Sequence, residues 1–369
     1  MSGPAMRPIV VAAGGTGGHF FPAEALGTEL RSRGHRVVLM TDARSRGETS
    51  PVFAGQDAHV IKGAGVVGRG MGRAVQAGLA LAAGTAQARS ILARVRPGVV
   101  VGFGGYPSVP PVLAARLLAG RPAIVLHEGN AVLGQANRSL ARFADHLALG
   151  MPATLRLPRR KPATVTGNPV RPGIAAQAGS PYQAPAADGS IRVLVTGGSQ
   201  GARVLSTALP PALALLPERL RARLQVTQQC RAEDLERVRT AYAASGIAAE
   251  LSPFFADMPA RLAGTHLFIG RAGASTVAEL TLVGRPAVLI PLPSTDSHQR
   301  HNAAAVEACV MDQGELERAL ADFAGRLAGL LDDPGLLAAR ARAMAGHGIA
   351  DATTRLADLV EHLLERNPA

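Results

Sequence analysis

Short apolar runs alternate along this chain with longer segments in which apolar residues recur every three to four positions. The short runs of Val, Ile, Leu and Ala indicate buried strands, and the longer segments indicate amphipathic helices. Such alternation favours doubly wound parallel sheets of the α/β class, because parallel strands are joined by helical crossovers. In the first half the pattern predicts strands at 9–13, 36–40, 59–61, 98–102, 122–126 and 146–149, and helices at 21–33, 73–94, 108–119 and 131–143.

The same alternation starts again after a stretch rich in Pro and Gly at 172–190. A chain of 369 residues is long enough for two domains of ordinary size. We therefore predict one domain over 1–165, a linker over 166–190, a second domain over 191–345 and a C-terminal helical segment over 346–369. The second half predicts strands at 191–196, 223–228, 248–251, 266–269 and 286–290, and helices at 201–216, 232–245, 274–283, 298–308, 315–331 and 351–365.

Four glycine-rich turns follow predicted strands, at 14–19, 102–106, 197–203 and 270–273. A strand that leads through glycines into a helix exposes backbone N–H groups at the positive end of that helix, where phosphate binds. The repeated construction predicts substrates that carry diphosphate. The first turn has Phe20 where the dinucleotide fingerprint needs its third glycine, so an oxidoreductase is not favoured.

Several polar side chains lie in or beside these turns, and each has a structural alternative. His19 is a candidate base, or an incidental residue at the start of a helix. Residues 127–130 form either a ligand-contact loop or an ordinary turn in which Asn130 caps a helix. Arg171 suits a diphosphate, or is a surface arginine near the linker. Glu279 suits vicinal hydroxyls of a ribose, or pairs with the helix dipole.

Charge is distributed unevenly along the chain. The net charge is +12, and residues 1–165 carry 20 Lys and Arg against 7 Asp and Glu, whereas residues 166–369 carry 19 against 20. This asymmetry favours an anionic partner for the first half, such as a phosphorylated ligand or a lipid surface. Aromatic residues make up 3% of the chain, and no zinc-finger spacing occurs, so nucleic acid is not favoured.

Two further features of the composition limit the possible classes of protein. Cys230 and Cys309 are too few for a disulfide framework. We expect neither a signal peptide nor a membrane-spanning helix, because glycines interrupt the apolar run near the start and no apolar stretch reaches about 18 residues. Residues 62–96 mix basic and apolar side chains, which suits either an anionic lipid surface or a helix packed on the core.

Seven motifs in this order closely resemble the MurG family of bacterial glycosyltransferases. They are AGGTGGH at 13–19, GFGGYPS at 102–108, HEGN at 127–130, TGNPVR at 166–171, GGSQGAR at 197–203, RAGASTVAEL at 271–280 and DSHQRHNA at 296–303.

The resemblance implies a GT-B fold, in which two Rossmann-like domains face a cleft. It implies inverting transfer of N-acetylglucosamine from UDP-N-acetylglucosamine to the 4-hydroxyl of the muramyl sugar of lipid I, an undecaprenyl-diphosphate-linked muramyl pentapeptide. The product would be lipid II of peptidoglycan synthesis, which serves cell shape and division. A peripheral location at the cytoplasmic face of the inner membrane is implied, and neither a metal ion nor another cofactor is expected.

The resemblance also implies roles for particular residues. His19 would be the catalytic base. The acceptor would contact Gly104, Gly105, Tyr106 and Glu128. The donor would contact Thr16, Gly17, Gly18, Asn130, Arg171, Ser199, Phe255, Ala274, Ser275, Thr276, Val277, Ala278, Glu279 and Gln299, with the phosphates at Arg171 and Ser199, the ribose at Glu279 and the uracil at the backbone of Phe255.

The chain departs from the family pattern at two places that bear on activity. Gly129 stands where the family usually has Gln. The segment around Cys309 is shorter than usual, so that an edge strand is lost or residues are deleted. Two alternatives therefore stay open beside the leading hypothesis. One is a GT-B transferase for another acceptor, and the other is an inactive UDP-sugar-binding scaffold protein.

Overall fold

The computed structural model describes residues 6–15, 17–43, 51–53, 58–61, 71–198, 201–294, 296–306 and 308–367. The chain forms two compact units. The first comprises Met1–Arg171 together with Asp351–Ala369, and the second comprises Pro172–Ala350. The chain passes from the first unit to the second after Arg171, inside the segment predicted as a linker. It returns to the first unit at Asp351, so the last helix belongs to the first unit.

The first unit contains a seven-stranded parallel sheet. Its strand order is β3-β2-β1-β4-β5-β6-β7, with β1 central between β2 and β4. The central strands are buried along their whole length, which explains their continuous Val and Ile runs. The strands are β1 (Ile9–Ala12), β2 (Val37–Thr41), β3 (Ala58–Val60), β4 (Val99–Gly102), β5 (Ala123–Glu128), β6 (His146–Leu149) and β7 (Ala163–Val165).

Helices cover both faces of this sheet. One apolar cluster contains Phe20 and Leu26 beside residues of the last helix, and the other contains Leu92 and Val112. The two clusters share the strands, whose alternate side chains point to opposite faces. The helices are α1 (Gly17–Ser32), α2 (Met71–Val95), α3 (Val109–Arg116) and α4 (Gln135–Leu140).

The second unit repeats this plan with a six-stranded parallel sheet. Its order is β10-β9-β8-β11-β12-β13, again with the first strand of the unit in the centre. In both units the chain reverses its direction of winding beside that first strand, which is where ligands bind in doubly wound sheets. The strands are β8 (Ile191–Thr196), β9 (Leu224–Gln229), β10 (Ala248–Ser252), β11 (Leu267–Gly270), β12 (Ala287–Leu289) and β13 (Cys309–Val310).

The remaining helices pack around the second sheet, except for the last one. One apolar cluster of the unit includes Leu209, Tyr242 and Phe323. The helices are α5 (Pro172–Ala175), α6 (Arg203–Ala214), α7 (Glu218–Arg221), α8 (Leu235–Ala244), α9 (Met258–Gly264), α10 (Ala274–Val283), α11 (His298–Ala304), α12 (Gln313–Arg318), α13 (Leu320–Leu331), α14 (Pro334–Gly346) and α15 (Ala352–Glu365).

Helix α15 completes the core of the first unit although it follows the second in sequence. Leu356, Val360 and Leu364 are buried in the first unit's cluster. Polar contacts hold the same helix, because the ring Nε2 of His35 lies 2.6 Å from Glu361, and Arg33 donates to Glu361 and to Asp358. Among the described residues, no helix has the length and hydropathy needed to span a bilayer.

The prediction of two parallel α/β domains is confirmed, and the differences are local. Strands β7 and β13 and helices α5, α7, α9 and α14 were not predicted, and the predicted helix at 315–331 is two helices, α12 and α13. The shortened segment around Cys309 does not lose its strand, because β13 pairs with β12 over Val288–Cys309 and Leu289–Val310. This strand has two residues.

Candidate functional site

The first glycine turn joins the carboxyl end of β1 to α1. Gly15 has φ +83°, a conformation that favours glycine, and its N–H donates to Oδ1 of the buried Asp42 at 3.2 Å. Helix α1 then begins at Gly17, so Gly17, Gly18 and His19 form its first turn. The turn therefore carries a half-buried imidazole at the carboxyl edge of the sheet. Thr16, predicted to reach the donor, lies outside the described residues.

The second glycine turn lies against the ring of His19. Gly104 and Gly105 have φ +80° and +68°, and a β-carbon at Gly105 would stand 3.4 Å from Cδ2 of His19. A β-carbon at Gly104 would stand 3.6 Å from Cε1 of the same ring. Tyr106 follows with 58% of its surface exposed. The structure thus brings the predicted base beside the loop that the resemblance assigns to the acceptor.

The loop after β5 is organised around the carboxylate of Glu128. Oε1 accepts from the backbone N–H and the side-chain amide of Asn130, at 3.0 and 2.8 Å. Oε2 accepts from the N–H of Gly134 at 2.8 Å and from the amide of Asn137 at 3.0 Å. The side chain of Glu128 is 4% exposed. The carboxylate is thus buried and occupied by donors of its own loop, and the predicted contact of Glu128 with an acceptor stays a prediction.

His127 precedes this carboxylate and is buried beneath it. The ring lies 5.0 Å from that of Phe103, and Nε2 is 3.3 Å from the carbonyl oxygen of Gly167. A carbonyl oxygen only accepts, so the proton of the neutral ring is on Nε2. Burial lowers the pKa of His127 to about 4, against smaller opposing effects of Gly167 and Glu128. His127 is thus a neutral packing residue rather than an acid or base near pH 7.

Arg171 ends the first of the two segments that form the first unit, and its guanidinium packs on α1. The guanidinium carbon lies 4.8 Å from the ring centroid of Phe21, a cation–π contact. The same ring also faces Gly17, where a β-carbon would stand 2.7 Å from it. Phe21 therefore links Arg171 to the helix that carries His19. The role of Arg171 at the donor phosphates stays a prediction.

In the second unit, the third glycine turn follows β8. Gly198 and Gly201 have φ +77° and +65°, and a β-carbon at Gly197 would collide with the backbone of Ala202. The turn closes tightly before α6 begins at Arg203. Ser199, the predicted phosphate contact, lies outside the described residues.

The fourth glycine turn follows β11, the neighbour of β8. A β-carbon at Gly270 would collide with the carbonyl oxygen of Thr196, so the carboxyl ends of the two strands approach closely. Gly273 is the N-cap of α10 and, as a glycine, has no side chain that could cap the first N–H groups of the helix. The first N–H groups of a helix have no intrahelical acceptor, which suits an anion at this end.

The residues predicted along α10 do not share one environment. Five are partly exposed: Ala274, Ser275, Thr276, Ala278 and Glu279. Val277 is 2% exposed and its N–H donates to the carbonyl of Gly273 at 2.9 Å. The side chain of Val277 therefore belongs to the core, and the contact of this residue with the donor stays a prediction.

Of the two other residues predicted for the donor site, Gln299 lies in the first turn of helix α11 and Phe255 lies in the loop after β10. Gln299 on α11 accepts at Oε1 from the N–H of Leu292 at 2.9 Å, so it holds the loop after β12. Phe255 is buried, and the guanidinium carbon of Arg261 lies 4.3 Å from its ring centroid. The ring of Phe255 is thereby fixed, which leaves its backbone as the predicted contact with uracil.

Sequence reasoning assigned no role to Arg271, which the structure buries beneath this region. Its guanidinium donates to the carbonyl of Ile290 at 3.0 Å and to Oε1 of Gln313 at 2.8 Å. Burial lowers the pKa of Arg271 from its ordinary value. The residue joins the end of β11 to the segment after β12 and to α12. Its place at the start of a glycine turn was the only indication in the sequence.

Metal ligands do not converge within the part of the chain that the structure describes. No group of three or more His, Cys, Asp and Glu side chains there has the arrangement to hold a metal ion. The described donors near the glycine turns include the backbone N–H groups at the start of α6 and α10. Such donors suit phosphate oxygens directly.

Comparison with known proteins decides the family. The glycosyltransferase family 28 N-terminal domain matches residues 9–149, and the C-terminal domain of the same family matches residues 192–356. The UDP-N-acetylglucosamine--N-acetylmuramyl-(pentapeptide) pyrophosphoryl-undecaprenol N-acetylglucosamine transferase of Granulibacter bethesdensis is 56% identical over 98% of this chain and 95% of its own length. The chain belongs to the MurG family.

Further relatives agree with this assignment. The transferase of the same name from Acidiphilium cryptum is 55% identical over 98% of both chains. The crystal structure of MurG from Acinetobacter baumannii is 28% identical, covers 96% of this chain and 99% of its own, and superposes with a TM-score of 0.75. The calicheamicin glycosyltransferase CalG4 shares the fold, at 18% identity and a TM-score of 0.67. The MurG family and the GT-B type of fold expected from the sequence are thus confirmed.

Proposed function

We propose that this protein is an inverting glycosyltransferase that moves N-acetylglucosamine from UDP-N-acetylglucosamine to the 4-hydroxyl of the muramyl sugar of lipid I. The product is lipid II, a precursor of peptidoglycan. The observation that carries the proposal is the 56% identity, along nearly the whole chain, to a transferase named for this reaction. The glycine turns at the carboxyl edges of both sheets support it, because both substrates carry diphosphate.

The second unit binds the donor in this proposal. The N-termini of α6 and α10 follow the glycine turns of β8 and β11, where helix N–H groups suit the diphosphate of UDP. Glu279, in the second turn of α10, accepts hydrogen bonds from the ribose hydroxyls. Arg171 and Ser199 complete the phosphate contacts, and Gln299 contacts the sugar.

The first unit binds the acceptor and supplies the base. The loop with Gly104, Gly105 and Tyr106 meets the acceptor diphosphate, and the adjacency of His19 to this loop supports its role as base. His19 takes the proton of the 4-hydroxyl as that oxygen attacks the anomeric carbon from the face opposite UDP. The new carbon–oxygen bond forms as the bond to the β-phosphate breaks, and UDP leaves with the electron pair.

A peripheral site on an anionic membrane is also part of the proposal. Val75 and Leu79, on the first half of α2, are 59% and 67% exposed, and Leu117 after α3 is 60% exposed. The first 165 residues carry the whole positive excess of the chain. Apolar side chains on a basic surface suit anionic lipid at the cytoplasmic face of the inner membrane, where lipid I is anchored.

Vesicle sedimentation tests this membrane site. Wild type should bind vesicles that contain anionic phospholipid, more weakly at high salt, and Leu79→Glu should bind them several-fold less. The matched control is Leu215→Glu, a 55% exposed leucine of the second unit, which should bind as wild type does. Equal binding by Leu79→Glu and wild type would remove α2 from the membrane contact.

A panel of donors and acceptors tests the reaction itself. UDP should be released from UDP-N-acetylglucosamine only when a muramyl diphosphate lipid is present. Turnover with a different acceptor class, and none with this one, would favour the alternative GT-B transferase. UDP-sugar binding without any turnover would favour the scaffold protein. His19→Ala should lose turnover while it retains UDP binding, and turnover equal to wild type would exclude His19 as the base.

A further inference from the structure

The carboxylate of Glu128 is the most heavily shared side-chain acceptor beside the proposed acceptor loop. Four N–H donors converge on its two oxygens, two on each, at 2.8 to 3.0 Å. These donors come from residues two, six and nine positions later in the chain. One side chain therefore closes the whole loop between β5 and α4 and fixes the start of that helix.

The contacts continue from this loop to the proposed base. The amide nitrogen of Asn137 donates to Glu128 and also to the carbonyl oxygen of His127 at 3.0 Å. The same nitrogen lies 3.2 Å from the position that a β-carbon of Gly104 would take. The ring of His19 packs against Gly104 and Gly105 from another side. A displacement of Asn137 would therefore change the space available to the Gly104 loop, which lies next to the ring of His19.

We propose, given the transfer reaction proposed above, that Glu128 is a positioning residue that touches neither substrate. Its carboxyl group holds Asn130 and Asn137 in place, and through Asn137 it sets the position of the Gly104 loop beside His19. Burial of the side chain to 4% exposure and the use of both oxygens by the loop itself support this role over direct contact with an acceptor.

Glu128→Gln tests this role specifically, because glutamine has the same size and shape as glutamate. Either orientation of the new amide turns its NH₂ group toward two N–H donors, so two of the four hydrogen bonds are lost. We expect kcat to fall at least about tenfold, because small displacements of reacting groups cost rate, with both KM values within about threefold of wild type. A rise in acceptor KM with kcat unchanged would show direct contact and overturn the proposal, as would unchanged kinetics.

A double-mutant cycle tests whether Glu128 acts through Asn137. Asn137→Ala should lower kcat by itself, and adding Glu128→Gln should lower it much less than it does in wild type. Multiplicative effects of the two substitutions would overturn the proposed path. All rates are expressed per folded protein, measured by circular dichroism, so that simple unfolding does not imitate the result.

Asp145→Asn is the matched control. Asp145 accepts from the N–H of Ile124 at 2.8 Å, so it also holds backbone by a carboxylate, but at the amino end of the same strand β5. This variant should keep kcat within about twofold of wild type. A fall equal to that of Glu128→Gln would show that any weakened carboxylate bond of β5 has this effect, and would overturn the specific role.

Amide hydrogen exchange separates this proposal from the proposed function. Glu128→Gln should raise the exchange rates of the amides of Asn130 and Gly134 at least about tenfold, whereas Asp145→Asn should leave them unchanged. If wild type transfers no sugar to lipid I, the proposed function fails, and the exchange rates still decide whether Glu128 holds the loop. Unchanged rates in Glu128→Gln would overturn the positioning role in either case.

Discussion

Acidification should lower the free energy of unfolding of the first unit, because the ring of His127 binds a proton more readily in the unfolded chain than in the folded one. The ring is buried, and desolvation lowers the pKa from 6.5 to about 4. Between these two values the unfolded chain holds a proton on this ring that the folded chain does not. The free energy of unfolding is therefore at its full value above pH 6.5 and falls as the pH falls from 6.5 toward 4.

The two pKa values set the size of this loss. At pH 5, protonation of this ring favours the unfolded chain over the folded chain by a factor of about 30, which corresponds to about 2 kcal/mol in the free energy of unfolding. At pH 7 the corresponding contribution is about 0.2 kcal/mol. The hydrogen bond to Gly167 and the charge of Glu128 oppose the shift but are smaller than the effect of burial. His127 alone should therefore account for a loss of about 2 kcal/mol between pH 7 and pH 5.

Urea unfolding of wild type and His127→Gln, followed by circular dichroism at pH 7 and pH 5, isolates this contribution. The variant retains an N–H donor for Gly167, and its glutamine side chain does not titrate. The variant should lose about 2 kcal/mol less than wild type over this pH interval. Equal losses in the two proteins would refute the assignment of a buried neutral ring to His127.

Two further predictions concern stability alone. Arg285 is 1% exposed and donates to backbone carbonyls that include those of Ala263 and Val283. Arg285→Met should therefore destabilise the second unit by about 3 kcal/mol and lower the midpoint of urea unfolding. An unchanged midpoint would contradict this prediction. Gly78→Ala, in an open part of α2, should raise the free energy of unfolding by about 0.5–1 kcal/mol, whereas Gly270→Ala should lower it because the new β-carbon meets the Thr196 carbonyl. The melting temperatures of the two variants should therefore shift in opposite directions, and shifts in the same direction would refute the packing argument.

The two-domain α/β plan could be predicted because central parallel strands are buried on both faces and must be apolar. Strand β7 shows the limit of this rule, since Ala163–Val165 lies at an edge with two exposed residues and no apolar run. Helix α14 was missed because its alanine-rich sequence gives little contrast between faces. The return of α15 to the first unit depends on packing between distant segments, which periodicity does not reveal.

The arrangement of the candidate site could be predicted in outline, whereas the surroundings of its side chains could not. The position of His19 beside Gly104 and Gly105 agrees with the glycine turns, because strand ends of a parallel sheet share one edge. The burial of the Glu128 and Val277 side chains was not predicted, for a common reason. Whether a side chain faces a ligand, its own loop or the core depends on hydrogen-bond partners and burial, which the residue types alone do not fix.

Transfer of a labelled sugar tests the central claim most directly. The purified protein is incubated with UDP-N-acetylglucosamine labelled with carbon-13 at the anomeric carbon and with a water-soluble lipid I analogue, and the product is examined by nuclear magnetic resonance. The account predicts that the label appears in a β-linkage to the 4-oxygen of the muramyl sugar. Label found only in unreacted donor or free N-acetylglucosamine, or in an α-linkage, would contradict it.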